Sequence, residues 1–249
     1  METVGYSERG IINALFYEIT YSPASESLLD ALLSRVRFPF LNEIIPPVFE
    51  AEILIEQSFS DFGDADVLAL INTGRNKISI FMEAKVKLSQ ASQWTIKKEF
   101  RKFINGRSLI EATSKHSSNL FTQLYYKARM VSCLRQHGIS TLQSGIEFPK
   151  NSSKKMIRKI GTNPVVMKAV KRLSSYLEAT YYVAIVPELS ATLDRFFKDE
   201  LAQVSLVDYP EWNVRSYGYL AWSDIKSFCD ENRLEKTLRV FELNEGQIY

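Results

Sequence analysis

The sequence has little cysteine and little histidine. Its 249 residues include two of each, namely Cys133, Cys229, His116 and His137, and the cysteines are not spaced as a CxxC motif. A disulfide framework and a zinc ribbon are thereby excluded, and two histidines are too few for a histidine-based metal site. We expect both cysteines to be ordinary core residues in a reducing compartment.

Long apolar runs are also missing. No stretch is long enough to span a bilayer and no opening segment resembles a signal peptide, so the expected location is the cytoplasm, with no membrane partner. Neither a nucleophile elbow nor a P-loop is present. The formal net charge is only +2, so a nucleic-acid partner would have to be met by local basic patches.

Two apolar segments of strand length flank a turn rich in glycine and asparagine. They cover residues 64–71 and 78–85. This pattern predicts an antiparallel β-hairpin, in which the start of the first strand lies beside the end of the second. Asp66 is therefore expected close to Glu83 and Lys85, at one end of the hairpin.

The charges at this end of the hairpin suit metal-assisted hydrolysis. Neighbouring carboxylates repel each other, and Mg²⁺ or Mn²⁺ removes the repulsion by binding their oxygens. Such an ion lowers the pKa of a bound water and neutralises charge on a phosphoryl oxygen. Asp66 and Glu83 are thus candidate metal ligands, with Asp64 as the alternative to Asp66 because both share a strand face. Lys85 would position the attacking water and stabilise the developing charge.

Asp66, an apolar strand, a short turn, a second apolar strand and Glu83-Ala84-Lys85 resemble the signature of the PD-(D/E)XK nuclease superfamily. Ala65 stands where the nominal motif has proline, and the resemblance covers about residues 7–90. It implies a restriction-endonuclease-like fold and an endonuclease that uses Mg²⁺ or Mn²⁺. It also implies DNA as the favoured substrate, a role in restriction, repair, recombination or phage defence, and a homodimer or a partner subunit.

A helix is predicted over residues 7–20, where Ser7 can act as the N-cap and apolar residues recur at helical spacing. Glu8 lies on the core-facing stripe, although a glutamate in a first turn can simply complement the helix dipole. The segment Ser7-Glu8-Arg9-Gly10 is similar to the N-terminal helix of Holliday-junction-resolvase-like members of the superfamily. That resemblance implies that Glu8 joins the catalytic metal site, directly or through water.

Basic residues follow the hairpin and recur further along the chain. Between Glu147 and Glu178 no acidic residue occurs, whereas eight lysines and arginines do. Such a stretch could hold a phosphate backbone, or it could be a solvated face. The residues predicted to contact nucleic acid are Lys87, Gln90, Lys154, Lys155, Arg158 and Lys159. Gln90 is included because some superfamily members carry a glutamine shortly after Glu-x-Lys; a solvated polar residue is the alternative.

The order of the predicted elements indicates an α/β fold. It predicts a restriction-endonuclease-like three-layer sandwich, with a mixed central sheet between helices. We expect a single domain, residues 1–249, with a helical basic insertion at about 107–179 that includes a strong helix at 121–136. A strand is predicted at 48–57, where glutamates alternate with apolar residues. That alternation predicts a solvated face bearing Glu50, Glu52 and Glu56.

Two other classes of function are compatible with the sequence. One is a nucleic-acid-binding protein on a nuclease-like fold whose chemistry is lost. The other is an interaction module whose basic insertion meets an acidic partner. The complete set of Asp66, Glu83 and Lys85 argues against both, since a decayed site has no physical need for all three groups.

Overall fold

The computed structural model of the protein describes residues 7–41, 45–86, 94–105, 118–148, 156–204 and 209–248. Four residues predicted to contact nucleic acid lie outside these ranges: Lys87, Gln90, Lys154 and Lys155.

A five-stranded mixed sheet forms the centre of the fold. Its strands, in spatial order, are β1 (Glu50–Ser58), β2 (Asp64–Asn72), β3 (Lys77–Ala84), β6 (Ala179–Val186) and β7 (Tyr217–Ala221). The first three are antiparallel neighbours, which confirms the predicted hairpin, and β6 and β7 run parallel to β3. Two short strands, β4 (Ile146–Phe148) and β5 (Met156–Arg158), form a separate antiparallel pair that the sequence did not predict.

Helices cover both faces of this sheet. One face carries α1 (Ser7–Thr20), α2 (Ser25–Leu33), α7 (Trp222–Glu231), α8 (Glu235–Leu243) and the short α9 (Glu245–Ile248). The other carries α3 (Ile96–Ile104), α4 (Leu120–Ser144), α5 (Pro164–Leu173) and α6 (Ser190–Asp199). The fold is therefore an α/β three-layer sandwich with a mixed central sheet, as predicted.

The central hairpin is buried on both sides. Val67 and Ala69 pack into the core beneath α1, whereas Leu68 and Leu70 pack into the core beneath α4. Successive side chains point to opposite faces, so a strand covered on both faces has to be apolar at nearly every position. A charged residue at the end of such a strand, as Glu83 is, is consequently placed among core residues.

The interval 107–179, predicted as a helical insertion, supplies part of the main core. Helix α4 packs against β3 and β6, and its buried residues join the same cluster as the sheet. Gly138 has φ 78°, a conformation that favours glycine, and it divides α4 into two helical segments. This packing puts residues of α4 above the end of the hairpin.

Two expectations about the environment of the chain can be compared with the structure. Cys133 and Cys229 are both buried and free, as predicted for core cysteines. None of the helices in the described ranges is long and apolar enough to cross a membrane.

Candidate active site

The open end of the hairpin brings the predicted acidic residues together. Val67 and Met82 form the last paired position of β2 and β3, and Asp66 and Glu83 come next on the two strands. Asp66 Oδ2 accepts a hydrogen bond from the Ala84 N–H at 2.7 Å. The carboxylate of Asp66 thus satisfies a backbone donor at the point where the two strands separate.

Glu83 is fully buried, and a residue of α4 meets its charge. Lys127, whose side chain is also completely buried, places Nζ 3.0 Å from Glu83 Oε1. The directed hydrogen bond of Lys127 Nζ goes to the carbonyl oxygen of Asp64, at 2.7 Å. Glu83 Oε2 has no hydrogen-bond partner among the described residues. A buried carboxylate oxygen without a donor is costly, so a cation at this atom would stabilise the site.

Burial raises the pKa of the Glu83 carboxyl from its ordinary value of 4.5 to about 7. The ammonium of Lys127 opposes this rise, the negative charge of Asp66 adds to it, and Lys85 opposes it more weakly. Near neutral pH, protonated and ionised Glu83 are therefore similar in free energy. A metal ion binds the ionised carboxylate, so metal binding at Glu83 would be coupled to proton release.

Lys85 is held in place from three sides. Its Nζ donates to Gln123 Oε1 of α4 at 2.7 Å. Its backbone N–H donates to the Ile185 carbonyl of β6 at 2.9 Å, and its own carbonyl accepts from Trp222 Nε1 at 2.8 Å. The ammonium of Lys85 is thus positioned next to the carboxylates by a helix, a strand and an indole.

The strand and the helix match each other in spacing. Gln123 and Lys127 are four positions apart on α4, which places them on one helix face. Glu83 and Lys85 are two positions apart, and both reach towards α4. Each residue of the Glu-x-Lys element therefore has its own partner on the long helix.

Glu56 is the acidic residue whose position the sequence predicted wrongly. It falls opposite Asp66, between the pairs Ile55–Val67 and Gln57–Ala65, with a left-handed φ of 52°. A non-glycine residue in this conformation is uncommon and costs about 1 kcal/mol or more. Its side chain is 29% exposed rather than fully solvated, because the local distortion redirects it from the alternating face of β1.

Four charged neighbours surround Glu56. Burial raises the pKa of its carboxyl, the contact with Arg9 opposes the rise, and the charges of Asp66, Asp64 and Glu8 add to it. Arg9 Nε lies 3.2 Å from Glu56 Oε1. Glu8, in the first turn of α1, therefore lies within electrostatic range of the hairpin end, where the resemblance placed it.

Two predicted nucleic-acid contacts fall on described residues, and they differ. Arg158 is only 3% exposed; its guanidinium lies over the Tyr126 ring at 3.9 Å, and donates to Tyr126 Oη at 2.8 Å and to the Asp61 carbonyl. This guanidinium is occupied inside the protein, and we leave it out of the nucleic-acid surface. Lys159 is exposed, and its backbone N–H donates to Asp61 Oδ2 at 3.2 Å.

The donor set at the hairpin end suits a hard divalent cation, since it consists of carboxylates and one of their buried oxygens has no partner. Within the described ranges, however, no three His, Cys, Asp or Glu side chains are grouped so that they could hold a metal ion. Asp66, Glu83 and Glu56 are each engaged by the protein, through Ala84 N–H, Lys127 and Arg9. Metal binding would require these carboxylates to exchange protein partners for the ion.

Sequence reasoning missed three residues of this site. Lys127 had a visible signal, because it interrupts the apolar stripe of α4 formed by Leu120, Leu124 and Val131. A lysine in a buried stripe needs an acidic partner. Gln123 and Glu56 had no comparable signal, since their roles depend on the packing of α4 and on a backbone distortion.

Comparisons with known proteins were made at three levels. No protein-family model, no curated protein and no solved structure matches the chain. The class of protein therefore has to be inferred from the fold and from the geometry at the hairpin end.

Proposed function

We propose that the protein is a metal-dependent nuclease of the PD-(D/E)XK type that hydrolyses phosphodiester bonds of DNA in the cytoplasm. The observation that carries the proposal is the buried Glu83, which adjoins Asp66 and has an unpartnered Oε2. Lys85 lies two residues further on and is tethered beside them. The mixed sheet, with this hairpin at its centre, is compatible with the restriction-endonuclease-like fold.

Asp66 and Glu83 would hold Mg²⁺ or Mn²⁺, with Glu8 contributing directly or through water and Asp64 as the alternative to Asp66. When bound, the ion supplies Lewis acidity and lowers the pKa of water. Lys85, oriented by Gln123, would hold the attacking water by its ammonium. The same positive charge would stabilise the negative charge that grows on the phosphate as the new P–O bond forms and the old one breaks.

A basic surface near this site would hold the DNA backbone. Helix α3 begins beside the carboxyl end of β6, because its Ile96 N–H donates to Glu188 Oε1 at 2.6 Å. The helix exposes Lys98, Arg101 and Lys102. We place these side chains with exposed Lys159 and with the predicted Lys87, Gln90, Lys154 and Lys155 in the phosphate-binding set.

Cleavage assays test the proposal. Plasmid, linear duplex and single-stranded DNA are incubated with Mg²⁺, Mn²⁺ or EDTA and with wild type, Asp66→Asn, Glu83→Gln or Lys85→Met. The matched control is Glu50→Gln, which removes an exposed carboxylate from β1. We expect metal-dependent cutting by wild type and control, with losses of at least about a hundredfold in the other variants. Cutting that survives in all three would contradict the proposal.

A second candidate function is a DNA-binding protein without nuclease chemistry. The buried contact between Lys127 and Glu83 favours it, because a lysine ammonium can neutralise the carboxylate permanently. Such a protein would bind DNA with an affinity that falls steeply with salt, and no metal would induce cutting. The same assays, combined with DNA binding at 50 and 200 mM salt, distinguish the two functions.

A further inference from the structure

We propose that Glu56 is a third carboxylate ligand of the divalent-cation site, and that Arg9 is the counter-ion it releases when the cation binds. This inference rests on the proposed function, because it extends the same site. It concerns a residue of β1, outside the Asp66, Glu83 and Lys85 set that the resemblance supplies.

Strand register is the first support. Glu56 falls opposite Asp66, between two pairs of the β1–β2 ladder. Asp66 in turn is followed across the hairpin by Glu83, one step beyond the last β2–β3 pair. Neighbouring strands lie about 5 Å apart, so the three acidic residues form one row across three strands. The short side chain of the row, Asp66, is in the middle, and the longer glutamates flank it.

The buried oxygen of Glu83 is the second support, and it is independent of the register. Glu83 is fully buried, and its Oε2 has no hydrogen-bond partner in the described part of the chain. Lys127 meets the other oxygen, Oε1, at 3.0 Å. Carboxylate oxygens without a donor are stabilised by a hard cation, which places the need for an ion at the row itself.

Local charge explains why Glu56 and Arg9 act together. The carboxylates of Glu8, Asp64 and Asp66 all act electrostatically on Glu56. Arg9 opposes this negative charge from 3.2 Å, yet its side chain is 63% exposed. An exposed ion pair contributes little to stability, so the guanidinium can leave at small cost. A divalent cation in the same position would compete with Arg9 and offset more of the negative charge.

The distorted backbone gives Glu56 a direction that an undistorted strand would not. Its left-handed φ of 52° interrupts the β1–β2 pairing at this position only. Distortions of this kind occur next to functional sites, where they redirect a side chain. Here the redirected side chain reaches Arg9 at the start of α1, beside Glu8.

Binding of Mn²⁺ to the full-length protein, measured by titration calorimetry without DNA, tests the inference. Glu56→Gln removes the ligand charge and is expected to weaken Mn²⁺ binding at least about tenfold. Arg9→Gln removes the competing cation and is expected to tighten binding. Glu50→Gln, the control on the same strand, should bind like wild type. Asp66→Asn reports on the proposed function itself, and should abolish binding.

The outcomes separate the two proposals. If wild type does not bind Mn²⁺, the metal site of the proposed function and this inference both fail. If binding is lost in Asp66→Asn but is unchanged in Glu56→Gln and Arg9→Gln, only this inference is overturned. If Glu56→Gln does not fold, as judged by circular dichroism, Arg9→Gln decides alone: tighter binding supports the counter-ion role, and unchanged or weaker binding overturns it.

Discussion

Lys127 of the long helix α4 and Glu83 of the central hairpin form an ion pair that is wholly shielded from solvent, with Nζ and Oε1 3.0 Å apart. Lys127 also donates to the carbonyl of Asp64, the first residue of β2. One side chain thus joins α4 to both strands of the hairpin at the candidate site. Its removal should affect stability and the ionisation of Glu83 together.

The first prediction concerns this ion pair. Lys127→Met should destabilise the protein by about 3–5 kcal/mol at pH 8, because it leaves the buried Glu83 carboxylate without a counter-charge. The loss should be smaller at pH 6, where Glu83 can take up a proton. Urea unfolding at both pH values measures it, and Lys168→Met, on the exposed face of α5, is the control. Equal losses at the two pH values would contradict this account of Glu83.

The second prediction is a pH dependence of the wild-type protein. The pKa of Glu83 is about 7 in the folded state and near its ordinary 4.5 when unfolded. Between these values the folded protein binds more protons, so stability falls as pH rises from about 4.5 to 7. The maximum effect is about 3 kcal/mol.

The reference for that measurement is the double variant Glu83→Gln/Lys127→Met, which replaces the ion pair by neutral groups of similar size. Free energies of unfolding at pH 5, 6, 7 and 8 should fall more steeply for wild type than for this variant. Parallel curves for the two proteins would mean that the pKa of Glu83 is not raised in the folded state.

The third prediction concerns Gly63, which precedes β2. Its φ is +79°, and a Cβ there would lie 3.4 Å from Lys127 Nζ. Gly63→Ala should therefore cost the backbone penalty of about 1–2 kcal/mol and an additional amount for crowding Lys127. Gly74→Ala is the matched control, since Gly74 has φ +78° and no atom within 4 Å of an added Cβ. Thermal unfolding should show the larger loss for Gly63→Ala; equal losses would rule out the crowding.

The fourth prediction separates Lys85 from the residue that orients it. Gln123→Leu removes the acceptor of the 2.7 Å hydrogen bond and leaves the ammonium in place. We expect a roughly tenfold loss of DNA cleavage, with Mn²⁺ affinity unchanged. Lys85→Met should lose far more activity, because the charge itself is removed. Equal activity of Gln123→Leu and wild type would indicate that Lys85 needs no orientation from α4.

The local pattern of the sequence was sufficient for several elements. The helix predicted at 7–20 coincides with α1, and the segments 64–71 and 78–85 correspond to β2 and β3 within one residue at each end. These elements are specified by apolar spacing and by the turn between the strands, both of which act between near neighbours. Hairpin geometry then places Asp66 beside Glu83 without any information about distant residues.

Longer elements were predicted less completely. The helix expected at 121–136 extends over 120–144 with a break at Gly138, and the pair β4–β5 was not predicted. Short strands of three residues carry too little periodicity to be recognised, and glycine suggests an end where the chain in fact continues after a kink.

The sequence by itself determined the hairpin, its acidic end and the Glu-x-Lys element, because these follow from contacts between residues close in the chain. Only the tertiary structure decided which partners the charges have. Lys127 reaches Glu83 because α4 packs across β3, and Glu56 faces Arg9 because β1 is distorted where α1 begins. Burial of a charge is set by all the elements packed around it, and this is why the raised pKa of Glu83 has no counterpart in the local sequence pattern.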